Sequence, residues 1–351
     1  MARTVVAGAG AMGASIAYHL SLLGARDVVL ADRGGVAGGA TAKAMGGVRQ
    51  QFTTEAEVRL AQESIRFFED LGPPLFEQVG YLFLATTVDG LRALDERVEL
   101  QRGLGVPVDR VDPSFVPGLR TDDVVGAAFC ARDGVADPAA VTRELVRRAS
   151  ERGVEVRERT PAEQLEADVR VVACGAYSAG FAARFGAALP VRPLCRQLLA
   201  TGPIADLSEA LPMTVEAETG FHFRRRGERL VVAMSDPRPR WGFEERVDET
   251  VFSDRLARLE HRYRPAAGAA FERAWAGLYD MTPDAHPIIG PIGDGLFAAC
   301  GFSGHGFMQA PAVGRALAEE ILMGSSSLDL SPYRLERFAG REAGVSEELV
   351  L

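Results

Sequence analysis

The chain of 351 residues holds a single lysine, Lys43, although lysine and arginine together number 39. Almost every permanent cation is therefore a guanidinium, a planar group suited to bidentate contacts with carboxylates. Net charge is −9, and the one basic triple, Arg224-Arg225-Arg226, reads as a turn between two strands. That balance excludes a nucleic-acid partner that depends on a basic face. Cysteine is scarce too. Cys130, Cys174, Cys195 and Cys300 form no C-x-x-C pair, and three lie in apolar runs, the pattern of buried thiols in a reducing compartment. Neither a structural disulfide nor a metal site is expected. No apolar run reaches the roughly 20 residues that cross a bilayer, and the first residues read as a buried strand, not a leader. Internal repeats and low-complexity segments are missing. A cytoplasmic protein is the expectation.

What remains is ordinary globular composition, with 47% hydrophobic residues, in a chain too long for one simple core. Residues 4–8 read as a buried parallel strand, 11–24 as a helix and 28–31 as a second strand ending at Asp32: a βαβ unit. Its turn carries Gly8-Ala-Gly10-Ala11-Met12-Gly13. Gly8 permits the tight turn, Gly10 lets the backbone approach a pyrophosphate, and Gly13 lets helix and strand pack closely. The helix N-terminus favours the anion. Asp32 is placed to accept hydrogen bonds from ribose hydroxyls. A dinucleotide site is expected.

Gly34 to Gly47 is too rich in Gly, Ala and Thr for a regular element, and its backbone can approach a ligand. Helices are expected over 54–71, 88–103, 137–149 and 248–263. Strands are expected at 80–86, 154–156 and 169–173. From 191 to 235 short strand-like runs (194–201, 213–216, 220–225, 229–234) suggest an antiparallel sheet, followed by a strand at 271–281. A second strand–glycine loop–helix unit runs from Leu296 through Gly301-Phe-Ser-Gly304-His305-Gly306-Phe307-Met308 into a helix up to Met323. Backbone donors at that helix start would suit the negative charge of a reduced flavin. Pro332 to Phe338 should pack back on the body, and 339–351 reads as a loose tail.

The fold class is α/β: a dinucleotide-binding domain from 1–72, 136–190 and 284–338, and an interleaved, mostly antiparallel domain from 73–135 and 191–283.

Six stretches in order carry a family resemblance: Val5 to Gly13, Gly46 to Phe52, Asp133 to Pro138, Cys174 to Ser178, Trp275 to Asp284 and Gly301 to Pro311. The chain resembles the FAD-dependent oxidoreductases of the D-amino-acid oxidase type, and within them the branch of sarcosine oxidase and the L-proline dehydrogenase β-subunit. The resemblance implies a glutathione-reductase-like FAD domain and oxidation of an amine or N-substituted amino acid to an imine by hydride transfer. It places Arg33, Thr41, Ala42, Lys43, Gly46 and Gly47 along the cofactor, with Ala162, Cys174, Gly175, Gly277 and the loop Gly304 to Met308. Ala162 matches a residue whose backbone meets the adenine. Arg49 is implied as partner of a substrate carboxylate, Tyr279 as an aromatic beside substrate, and His305 as a contact at the flavin or substrate edge.

Four departures stand out. Gly277 replaces a cysteine that attaches FAD in monomeric sarcosine oxidases, so a non-covalent cofactor is expected. Met308 replaces a lysine that helps hold the carboxylate. The strand Leu230 to Met234 lacks a lysine that helps oxygen accept electrons, which points to a dehydrogenase or a slow oxidase. Only 157–168 connects two strands where relatives carry a small meander. An electron-accepting partner subunit in a hetero-oligomer, and a non-catalytic assembly role, stay open as alternatives.

Overall fold

The computed structural model describes residues 2–205, 207–339 and Glu347. Among them, a six-stranded sheet runs in the order Ile288–Gly293, Leu296–Cys300, Val169–Val172, Thr4–Ala7, Val28–Ala31 and Glu155–Arg157. Its last five strands are parallel, and Ile288–Gly293 closes one edge as an antiparallel hairpin arm. Thr4–Ala7 and Val28–Ala31 are buried on both faces, which explains their unbroken apolar runs.

The helix Ala11–Leu22 is almost wholly buried because Gly306–Met323 and Pro138–Glu151 cover it. Gly314 allows the closest approach: a Cβ there would overlap the Ser15 hydroxyl. Pro138–Glu151 begins as read, with proline in its first turn and Asp137 Oδ1 accepting from Ala139 N (2.9 Å) and Ala140 N (3.0 Å). Glu55–Leu71 is capped by the Thr54 side chain and stops at Gly72, whose φ is +56°.

Among the described residues the second sheet has nine strands. The long strands Arg192–Thr201 and Phe271–Met281 pair antiparallel along their length, and the sheet continues through Arg229–Ala233, His222–Arg226, Met213–Glu216, Tyr81–Ala85, Gly126–Cys130 and Val108–Arg110. Only Met213–Glu216 and Tyr81–Ala85 run parallel within it. A three-stranded sheet, Gly47–Val48, Gly134–Ala136 and Phe76–Glu77, lies beside them.

Several expectations need correction. Arg224-Arg225-Arg226 is not a turn; it lies on the strand His222–Arg226, and the turn follows at Gly227 (φ +63°). Strand alternation sends Arg224 and Arg226 inward, where they donate to the carbonyls of Ala136 (3.1 Å), Ala44 (3.1 Å) and Met45 (3.3 Å). The stretch from Gly34 to Gly47 does hold a helical turn, Ala40–Lys43, and leads into the strand Gly47–Val48. The helix expected over 248–263 begins as a 3-10 turn, Glu249–Val251, before Phe252–Arg262. The strands Gly126–Cys130 and Ile288–Gly293 had no expectation.

The packing-back of 332–338 holds: Tyr333 is buried and Arg337 pairs with Asp284 at 2.8 Å. Of the tail expected to be loose, all but Ala339 and Glu347 lies outside the described residues. Glu347 itself is 3% exposed and accepts from Thr53 N at 3.1 Å, so at that residue the chain is held on the body. All four cysteines are free and three are buried. Among the described residues, no helix is long and apolar enough to cross a membrane, and no cluster of metal-ligating side chains occurs.

Candidate active site

A cavity of about 650 Å³ runs between the parallel sheet and the long antiparallel pair. One end is built by the first glycine turn. Gly8 takes φ +104°, and a Cβ on it would overlap the Ala173 carbonyl. Gly13 does not reach the cavity; a Cβ there would strike the Gly8 carbonyl, so it serves helix–strand packing as its spacing implies. Asp32 already accepts from Ala9 N at 2.8 Å and Gly34 N at 2.7 Å. Each carboxylate oxygen retains lone-pair capacity toward the cavity, which Asp32 lines. Gly10, Ala11, Met12, Arg33, Thr41, Ala162, Cys174 and Gly175 line the same end; Ala42 does not.

Lys43 lines the cavity but its charge is matched. Its ammonium contacts the Glu245 carboxylate, and its side-chain carbons lie 3.2 Å from where a Gly277 Cβ would be. The ion pair joins the end of the helical turn Ala40–Lys43 to Glu245. Arg33 pairs more loosely with Glu163, at 3.9 Å.

The other end is built by the long strands. The register Arg196↔Gly277 and Leu194↔Tyr279 places Arg196, Leu198, Trp275, Gly277 and Tyr279 on the cavity face. Gly46, Gly47 and Arg49 line the same cavity, as does the loop Gly304 to Met308. Gly304 takes φ +101°, and a Cβ there would lie 2.8 Å from Tyr279 Cζ, so the loop backbone lies against the ring of Tyr279. Arg49 is 1% exposed, donates to the Gln51 carbonyl and lies 4.0 Å over the Phe52 ring. His305 meets the same ring edge-on at 5.2 Å.

Burial sets the protonation at this end. Desolvation raises the Tyr279 phenol, partly opposed by Arg196 and Arg49. Tyr81 is pushed up to about 12 for the same first reason. His222 is pushed down to about 4 by burial, and its Nδ1 lies 2.7 Å from the Gly220 carbonyl. Nδ1 is then the donor, which leaves Nε2 an acceptor. Asp280 is pushed up to about 6 by burial, against the hydrogen bond from Gly301 N.

Two long helices start on the cavity, Ala11–Leu22 and Gly306–Met323; neither is capped by the residue before it, and Ala11 N donates to Thr41 Oγ1 at 3.1 Å. Helices Glu55–Leu71, Val88–Gly103 and Pro138–Glu151 are capped by Thr54, Thr87 and Asp137. The remaining first-turn N–H groups and the helix dipoles offer two anion sites on one cavity.

The sequence profile of the family described as FAD dependent oxidoreductase matches residues 3–320. The chain belongs to this family. It is 27% identical to 4-methylaminobutanoate oxidase (formaldehyde-forming) of Paenarthrobacter nicotinovorans, over 97% of the chain and 46% of that enzyme. It is 27% identical to sarcosine oxidase subunit beta of an Arthrobacter species, over 95% of the chain and 90% of that subunit. The chain thus spans about half the length of the first and nearly all of the second. The solved L-proline dehydrogenase of P. horikoshii superposes with a TM-score of 0.88 at 26% identity, covering 96% of this chain and 98% of that one.

FAD is the family's cofactor, and the cavity fits it on its own evidence. The paired helix starts suit a molecule anionic at its pyrophosphate and, when reduced, at its ring. The glycines leave room for close backbone approach at both ends.

Sequence reasoning missed Arg196, His222, Tyr81, Met213 and Trp275, which also line the cavity. They sit on strands distant in sequence; Trp275 opens one of the family stretches without a role assigned to it, and no motif marks the other four. A period-two reading of 192–198 and 275–279 groups the cavity-facing residues of the long pair, but not which face turns inward.

Proposed function

We propose that this flavoprotein oxidises the carbon–nitrogen bond of a small N-substituted amino acid, of the kind of sarcosine or proline, to an imine that hydrolyses. The observation that supports it most is one cavity joining the dinucleotide turn to Arg49, Tyr279, His222 and His305. Bound FAD supplies a two-electron acceptor for hydride from the carbon beside nitrogen. The chain's own residues do the rest. Arg49 offers a guanidinium fork to the carboxylate. Tyr279 remains a neutral phenol and His222 a neutral imidazole whose Nε2 can accept from the amine. The largely desolvated lining lowers an amine pKa and favours the neutral form that hydride loss requires.

In this reading 1–72, 136–190 and 284–338 carry the cofactor, and 73–135 and 191–283 carry the substrate. The cofactor is held non-covalently, since Gly277 has no side chain to attach it. The enzyme is a dehydrogenase or slow oxidase: the strand Arg229–Ala233 lacks lysine, and Lys43 is engaged by Glu245. Names of two similar proteins denote enzymes of N-methylated amino acids, which supports the substrate class.

A second reading makes the chain a subunit that passes electrons to a partner. It is favoured by the similarity to a β-subunit over nearly its whole length. Size-exclusion chromatography of the purified chain with a dye-linked assay separates the two.

The test is anaerobic flavin reduction against sarcosine, proline, glycine, D- and L-amino acids and simple amines, then stopped-flow reoxidation in air. Reduction only by uncharged amines would remove the role of Arg49. Fast single-step reoxidation would rule out the dehydrogenase. Failure of every amine to reduce the flavin would sink the reading.

A further inference from the structure

Arg196 is the cavity cation that the proposed reaction leaves unused. It stands on Arg192–Thr201 opposite Gly277, on the same strand face as Leu198 and half-buried. Its guanidinium lies 5.7 Å from the Tyr279 ring centroid. Its Nε is shielded from solvent and has no hydrogen-bond partner, and Arg196 forms no ion pair with any described carboxylate. The other cavity cations differ. Lys43 is matched by Glu245 and Arg33 by Glu163. The nearest acid of the strand pair, Asp280, is turned to Gly301 N.

One substrate carboxylate needs one guanidinium fork, and Arg49 supplies it. A second guanidinium in the same partly desolvated space carries a desolvation cost and repels the first, unless an anion meets it. Arg49 and Arg196 line the same cavity as Tyr279 and His222, and both arginines oppose the upward shift of the Tyr279 phenol. His222 is neutral and adds an acceptor there, not a third cation. Nothing among the described residues balances Arg196 from the protein side.

We propose that Arg196 is a second anion-binding residue and that the substrate class is an amino acid with two carboxylates around the oxidisable amine. This rests on the amine-oxidation reading above and narrows it. Arg49 and Arg196 each take one carboxylate, and the amine lies between them beside Tyr279 and His222.

The holoenzyme is titrated with thiodiacetate and with methylthioacetate, thioethers that have no amine to oxidise, and binding is read from the perturbed flavin spectrum. The diacid is expected to bind about thirtyfold tighter or more, as for a desolvated charge pair. In Arg196→Met that ratio falls to about threefold or less, and in Arg196→Lys part of it returns. Flavin content and circular dichroism verify that both variants are folded. Equal affinities in the native enzyme, or a ratio unchanged in Arg196→Met, overturn the proposal. The second result would mean that Arg196 serves the cofactor or the fold.

A parallel arm compares iminodiacetate with sarcosine, which differ by one carboxylate, in anaerobic flavin reduction. Iminodiacetate is expected to be favoured. If sarcosine is oxidised equally well, the dianion proposal fails and amine oxidation stands. If neither amine reduces the flavin, amine oxidation loses its support, while a diacid ratio that collapses in Arg196→Met still upholds the anion site.

Discussion

Gly304→Ala puts the cavity loop Gly304 to Met308 under a defined strain. The backbone there has φ +101°, which costs a residue with a Cβ about 1–3 kcal/mol. The new methyl would lie 2.8 Å from Tyr279 Cζ and 3.0 Å from Cδ2, and closer to Cε2. Carbon contacts prefer about 3.5–4.0 Å, so ring or loop must shift by roughly an ångström, an overpacking cost of about 1–3 kcal/mol. The sum is about 2–6 kcal/mol. With about 2.1 cal/mol/K per residue of unfolding entropy over 351 residues, 1 kcal/mol moves Tm by about 1.4 K, so the loss is roughly 3–8 K. Differential scanning calorimetry of the holoenzyme measures it. Repeating the substitution in Tyr279→Ala removes the overlap and keeps the backbone strain, so the loss should shrink to roughly 1–4 K. An equal loss in both backgrounds would refute the ring contact; no loss in either would refute the strain as well.

Arg262→Met should be costly away from the site. Arg262 is 1% exposed and pairs with Glu216 and Asp123, both at 2.7 Å, so its loss strands a buried Glu216 and costs about 3–5 kcal/mol; thermal melts should show a fall of roughly 4–7 K with flavin content retained. His19 is 8% exposed and pushed down from 6.5 to about 4 by burial. Below 6.5 the unfolded chain takes a proton that the folded chain refuses, so stability is present above 6.5 and is lost as pH falls toward 4, up to about 3 kcal/mol. His19→Gln should flatten the melting curve over that window relative to the native protein; an identical slope would contradict the burial argument. Lys43→Met breaks an ion pair whose side chains are 32% and 30% exposed, so stability should change by less than about 1 kcal/mol. Reoxidation in air should change less than about threefold in stopped flow, and a large fall would give Lys43 a role with oxygen.

Much of the scaffold was legible because its signals are local. A tight turn against a helix start needs glycines at Gly8, Gly10 and Gly13. A helix with Asp137-Pro138 at its start announces its own cap. Burial of strands on both faces produces apolar runs such as 28–31. The arginine triple was misread because composition treats arginine as a surface residue. In the fold, alternation turns Arg224 and Arg226 toward backbone carbonyls and only Arg225 outward. The loop ion pair of Lys43 was likewise invisible, because Glu245 is about two hundred residues away in sequence.

The sequence by itself determined the dinucleotide turn, the second glycine loop and the family, since each rests on contiguous runs of local pattern. Only the tertiary structure decided what faces what. It brought Arg196, His222 and Tyr81 from separate strands to one cavity, matched Lys43 with Glu245 and left Arg196 without a carboxylate among the described residues. The physical reason is that strand periodicity groups residues by face, whereas the identity of that face and its distance from the cavity depend on long-range pairing.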